Sequence, residues 1–187
     1  DPTQAVAALK VLSPDARRQL LLEWNEETWP YRGPMDVVSC FEQVAHAYPD
    51  HVAVTTPGQA DVSYMTLNQA SDQLAWRLIG AGVTPGSVVA VVLDRSPDAL
   101  VAILAILKSG AAYLPLEHSF PEDRLRFMFD DAQAKLVLTH SSFAGRLPAS
   151  WPRLELDRLP TETPTIQVEL PDIDPDDLAY VMYTSGS

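Results

Sequence analysis

The residues best suited to chemistry stand together at 184–187, where Thr184-Ser185-Gly186-Ser187 follows the apolar run Leu178 to Tyr183. Three hydroxyls and a glycine can wrap an anion, because hydroxyls and free backbone N–H groups turn inward and glycine leaves room for close approach. The same tetrapeptide also makes an ordinary turn, and spacing alone leaves both readings open. Other groupings offer less. His46, His51, His118 and His140 lack metal-ligand spacing, and Glu42 with His46 makes a single i, i+4 pair, so no metal site is expected. No Gly-x-Ser-x-Gly occurs and Ser185 has no base evident in the sequence, which leaves a hydrolase triad unsupported. The glycines of Gly80 to Gly86 follow a helical pattern and precede a strand, the reverse of what a dinucleotide fingerprint needs.

The elements that must position this loop are read from periodicity and caps. Ser96-Pro97-Asp98 opens a helix over 97–109, with a side-chain cap, a proline at the first helical position and an acid at the positive end of the dipole. Every residue from Ala99 to Leu107 is apolar, which predicts a helix buried all round but too short to span a membrane. Gly110 stops it, and 112–116 is extended with Pro115 barred from a central ladder. Val88 to Leu93 is apolar throughout and predicts a strand covered on both faces. Strand 88–93, helix 97–109 and segment 112–116 then form a βαβ unit whose crossover should be right-handed. Ser119 and Glu122 have capping-box spacing for a helix to about Asp131, and Lys135 to Thr139 is the next strand.

Upstream, Ser13-Pro14-Asp15 starts a helix ending near Asn25, and Asp36 caps another that Pro49 ends. Val52 to Thr56 and Val62 to Tyr64 make a short antiparallel hairpin around Pro57-Gly58, and Thr66 caps a third helix ended by Gly80 and Gly82. Downstream, the prolines at 148, 152, 160, 164, 171 and 175 mark a loop-like stretch with one brief strand at Arg153 to Leu156. Leu178 to Tyr183 is predicted as a further apolar strand. The fold class is therefore α/β, a mostly parallel sheet flanked by helices.

The 187 residues suit one ordinary domain or part of a larger one. A net charge of −12 argues against nucleic acid as a partner, since that needs clustered positive charge. Glu169, Asp172, Asp174, Asp176 and Asp177 are read as a solvated acidic stretch. One cysteine, Cys40, excludes an internal disulfide framework, and no run reaches membrane-spanning length, so a cytoplasmic protein is expected.

Four strings carry a resemblance. Leu107-Lys108-Ser109-Gly110-Ala111-Ala112-Tyr113-Leu114-Pro115-Leu116-Glu117 is similar to the Leu-Lys-Ala-Gly-Gly-Ala-Tyr-Val-Pro-Ile-Asp-Pro element of amino-acid adenylation domains in nonribosomal peptide synthetases. Ser109, Ala111 and Glu117-His118 depart from that pattern. Val62 to Leu67 resembles that family's Leu-Thr-Tyr-x-Glu-Leu element, with Thr66 in place of Glu. Leu21 to Thr28 resembles the Trp-Asn-x-Thr segment that joins a condensation domain to an adenylation domain, with one extra Glu. Leu178 to Ser187 resembles the opening of the loop Tyr-Thr-Ser-Gly-Ser-Thr-Gly-x-Pro-Lys-Gly.

The resemblance implies residues 1–28 as an interdomain linker and residues 29–187 as the N-terminal portion of an adenylation domain, cut within its phosphate loop. It implies Thr184, Ser185, Gly186 and Ser187 as ATP phosphate contacts, with no catalytic residue in this fragment, which alone should be inactive. When complete, the domain would form an aminoacyl adenylate from an amino acid and ATP with Mg2+, then load the phosphopantetheine thiol of a carrier protein domain. An acyl-CoA ligase of the same superfamily fits less well, given the Trp-Asn string and Ala112-Tyr113-Leu114-Pro115. A second implied function is docking of a small MbtH-like protein at Ala111, Ala112 and Tyr113, with Ala111 or Ala112 between two partner tryptophans. Close helix-strand packing is the plainer account of those alanines.

Overall fold

The computed structural model describes residues 12–25, 33, 36–160 and 169–184. The chain divides into two compact units, Asp1–Gly33 and Pro34–Ser187. In the first, α1 (Pro14–Leu21) begins as its sequence predicts, with Ser13 Oγ accepting from the Ala16 N–H at 3.1 Å. The helix expected to reach Asn25 closes instead as a 3-10 turn over Glu23–Asn25, where Asn25 Nδ2 donates to the Leu20 carbonyl at 2.8 Å.

The second unit opens with α2 (Val37–Ala47), capped by Asp36 through the Ser39 N–H at 2.8 Å. β1 (Val52–Val54) and β2 (Val62–Ser63) pair antiparallel, as the hairpin reading expected. α3 (Tyr64–Gly80) starts one turn earlier than Thr66 would have it. Its cap is Ser63, whose Oγ accepts from the Thr66 N–H at 3.2 Å, so Thr66 sits inside the first turn.

β3 (Val88–Val92), α4 (Pro97–Lys108), β4 (Ala112–Pro115), α5 (Glu122–Asp131), β5 (Leu136–Thr139) and β6 (Arg153–Glu155) build a parallel sheet in the order β4-β3-β5-β6. A four-residue helix, α6 (Ser141–Ala144), lies between β5 and β6 and was not expected. β4 is an outer strand, which answers to Pro115 and its missing donor.

Strand alternation sorts the core into two layers. Val89, Val91, Leu136 and Leu138 pack against α3 and α4, through Leu74, Leu78, Ala102 and Ile106. Ala90, Val92, Leu114 and Val137 pack against α5, through Leu125, Met128 and Phe129, with Phe129 stacked on Trp151 at 4.0 Å between ring centres. Helices on opposite faces follow from topology: the path runs one way from β3 to β4 and back past β3 to β5, and one crossover hand then demands the other face.

Two further sequence expectations are corrected. α4 is not buried all round, because Leu100 is 41% exposed while the fully buried side is Ala102, Ala105, Ile106 and, unexpectedly, Lys108. α5 has no Ser119 cap: its N-cap is Pro121, with no side-chain hydrogen bond. Pro121 bars Phe120 from helical backbone, so a helix from Ser119 could not pass it, and Glu122 and Asp123 meet the dipole instead.

Candidate functional site

Leu178 to Thr184 reaches the sheet along its β4 edge. The Tyr113 N–H donates to Ala179 O at 3.1 Å and the Val181 N–H to Tyr113 O at 3.0 Å, one parallel bridge between Tyr113 and Tyr180. The expected strand over Leu178 to Tyr183 does not form beyond this bridge. On β4 the next backbone group facing outward belongs to Pro115, which has no N–H to continue the ladder.

Side chains still alternate. Val181 and Tyr183 turn into the α5-side core, whereas Leu178, Tyr180 and Met182 are more than half exposed. A second anchor follows the bridge: the Tyr183 hydroxyl donates to Asp131 Oδ2 at 2.5 Å, with Met128 O at 3.4 Å, and its ring meets Phe127 edge-on at 6.0 Å. Removal from water, then the hydrogen bond and negative charge of Asp131, push the Tyr183 phenol up to about 12. Tyr183 therefore stays a neutral donor, and Thr184 leaves this anchor exposed at the surface. Ser185, Gly186 and Ser187 lie outside the described residues.

The other expected site residues are placed by packing. Ala111 and Ala112 are each 1% exposed. The Ala111 N–H bonds Ile106 O at 3.1 Å and the Ala112 N–H bonds Ser87 O at 2.8 Å, so both close the α4-to-β4 joint. Ala111 also lines an apolar cavity of about 140 Å³, with Val38, Leu107, Ile173 and Leu178 among its walls. Tyr113 is half-buried, its ring 5.7 Å from that of Tyr180.

Two polar clusters escaped sequence reading. Lys108 ends the apolar run of α4 with its side chain fully buried, paired with Asp72 and donating to Asn68 Oδ1 at 2.6 Å, while Glu42 Oε1 lies at 3.5 Å. The available signal was a lone lysine closing nine apolar residues, which needs an acid from another helix. At the carboxyl ends of the strands, His140 Nε2 lies 3.0 Å from Asp98 Oδ2, and His118 Nε2 lies 3.6 Å from Asp94 Oδ1. Ser141 donates to Asp157 through Oγ at 2.5 Å and N–H at 2.8 Å, and these two bonds hold the Asp157 carboxyl below the usual carboxylate range. Among the described residues no three His, Cys, Asp or Glu side chains are grouped to hold a metal ion. None of their helices is long and apolar enough to cross a membrane.

The AMP-binding enzyme family matches residues 41–187. A linear gramicidin synthase of Brevibacillus parabrevis is 38% identical over 189 residues, which cover 100% of this chain and 2% of that protein. The fold is similar to that of the nonribosomal peptide synthetase FmoA3 in its AMPPNP-bound form, at 30% identity and a TM-score of 0.78, over 99% of this chain and 20% of the other. It is also similar to holo-AB3403, a four domain nonribosomal peptide synthetase bound to AMP and glycine, at 34% identity and a TM-score of 0.67, over 80% and 11%. The chain thus spans a small part of the relatives it matches.

Proposed function

The chain belongs to the AMP-binding enzyme family, and we propose that it supplies the N-terminal part of an amino-acid adenylation domain, with residues 184–187 lying against the phosphates of ATP. One observation carries this reading. Thr184, the first of the hydroxyl-bearing residues 184–187, leaves a segment fixed twice to the α/β scaffold, by the Tyr113–Tyr180 bridge and by the bond from Tyr183 to Asp131, within the region the family matches.

In the complete domain the amino acid's carboxylate attacks the α-phosphate, a phosphorus–oxygen bond forms, and pyrophosphate leaves with the electrons of the broken bond. The aminoacyl group then passes to the phosphopantetheine thiol of a carrier domain, releasing AMP. Little covalent chemistry falls to the protein, whose contribution is to hold the reactants in line and to neutralise developing charge. Thr184, Ser185 and Ser187 have hydroxyls that can donate to phosphate oxygens, and Gly186 keeps the backbone open to them. Mg2+ would arrive with the triphosphate. We take residues 1–28 as the linker to a neighbouring condensation domain, in keeping with the similarity of the whole chain to a linear gramicidin synthase, and place the reaction in the cytoplasm, where ATP is present.

The test is amino-acid-dependent ATP–pyrophosphate exchange on the polypeptide that carries this chain, in wild type and in a Thr184→Ala, Ser185→Ala variant. Exchange that falls about 100-fold or more in the variant is expected, since lost charge-stabilising donors cost that much. Exchange unaffected by the substitutions would remove residues 184–185 from the site. Docking of an MbtH-like protein is not a second reading here, because Ala111 and Ala112 are occupied in packing the α4-to-β4 joint.

A further inference from the structure

Lys108 is the one lysine whose charge is buried among the described residues, and its partners come from two other helices: Asn68 and Asp72 on α3, and Glu42 with the Phe41 ring on α2. Stability alone is a poor reason for such a group, since a well-packed apolar side chain of similar volume commonly serves as well or better. What an ammonium adds is direction, because several acceptors at fixed places allow one roll of the helix that carries it.

Ser109, Gly110 and Ala111 alone separate Lys108 from β4, and each is pinned. Ser109 Oγ donates to Ile106 O at 2.7 Å, Gly110 O accepts from the Gly86 N–H at 2.8 Å, and Ala111 N–H donates to Ile106 O at 3.1 Å. Two residues further on, Tyr113 holds the 178–183 segment from both its N–H and its carbonyl. A roll of the last turn of α4 therefore re-aims the edge on which that segment sits.

We propose that Lys108 is a positioning residue: its polar contacts fix the last turn of α4, and through the short joint to β4 they fix the segment that leads to Thr184. The link from that segment to ATP rests on the function proposed above.

Amide hydrogen exchange on the 187-residue chain tests the positioning role directly. In Lys108→Met, the Tyr113 and Val181 amides should exchange about tenfold faster or more, while amides of the β3–β5 ladder keep their protection. A uniform acceleration at every amide would mark Lys108 as a stability element and overturn the proposal, and unchanged exchange at Tyr113 and Val181 would also overturn it. Should Lys108→Met not fold, Asp72→Asn and Lys108→Arg are read in the same way, since each disturbs the geometry without removing every partner. In the polypeptide active in ATP–pyrophosphate exchange, Lys108→Met should raise KM for ATP more than it lowers kcat. Absence of exchange in the wild type would refute the ATP reading and leave the amide result to decide the role of Lys108.

Discussion

Replacing Gly110 by alanine should cost this fold more than the same change at Gly58, Gly82 or Gly86, the other left-handed glycines among the described residues. Gly110 sits at φ +72°, and an added Cβ would meet Pro85 Cβ at 3.0 Å and Pro85 Cα and Cγ at 3.1 Å. The left-handed backbone costs an L-residue about 1–2 kcal/mol. Overpacking adds about 1–3 kcal/mol, because the proline ring cannot rotate aside and its turn is tied back through the bond from Gly86 N–H to Gly110 O. Together they predict a loss of about 2–5 kcal/mol, a large share of a typical domain's stability. Gly82→Ala isolates the backbone cost, since Gly82 has φ +90° and nothing within 4 Å of the added carbon, so it should lose only about 1–2 kcal/mol. Urea unfolding of the two variants measures the difference. If Gly110→Ala proves no more destabilising than Gly82→Ala, the close approach of Pro85 to the α4–β4 joint is not what holds that joint.

Two further predictions concern titrating groups. Partial burial raises the Asp36 carboxyl, but its bonds from the Ser39 side chain and N–H, with smaller ones, leave it lowered from 3.8. Its capping contribution should be full above that value and be lost as pH falls through the lowered one. Asp36→Ala should cost about 1 kcal/mol near neutrality, and urea midpoints taken from pH 3 upward should show the acid-side loss shrinking in the variant. Tyr183 titrates in the opposite sense: its phenol is raised to about 12, so the stability it lends is full below pH 10, its ordinary value, and is lost as pH rises toward 12. Alkaline difference absorbance should show a late-titrating phenol that is absent in Tyr183→Phe.

Much of the scaffold was legible because local signals agreed with each other. Ser96-Pro97-Asp98 marks the start of α4 to the residue, and the unbroken apolar run at Val88 foretells β3 covered on both faces. The misreadings arise where two signals competed. Ser63 and Thr66 can both cap, and only the course of β2 decides that Ser63 does. Ser119 with Glu122 matches a capping box, but Pro121 between them forbids the helix. The run Leu178 to Tyr183 was apolar enough for a strand, yet pairing depends on the neighbour, and Pro115 on β4 ends the ladder after one bridge. Lys108 was hidden for a similar reason, since its acids lie 36 and 66 residues away in sequence and meet it only after three helices pack. Of residues 184–187, composition could show the hydroxyls but not the two anchors that lead to Thr184.

The most direct test of the account is a structure of the longer polypeptide with a non-hydrolysable ATP analogue. Backbone N–H and hydroxyl groups of residues 184–187 should lie at about 2.7–3.2 Å from phosphate oxygens, with Tyr183 still bonded to Asp131. A triphosphate bound elsewhere, with residues 184–187 facing solvent, would contradict the account.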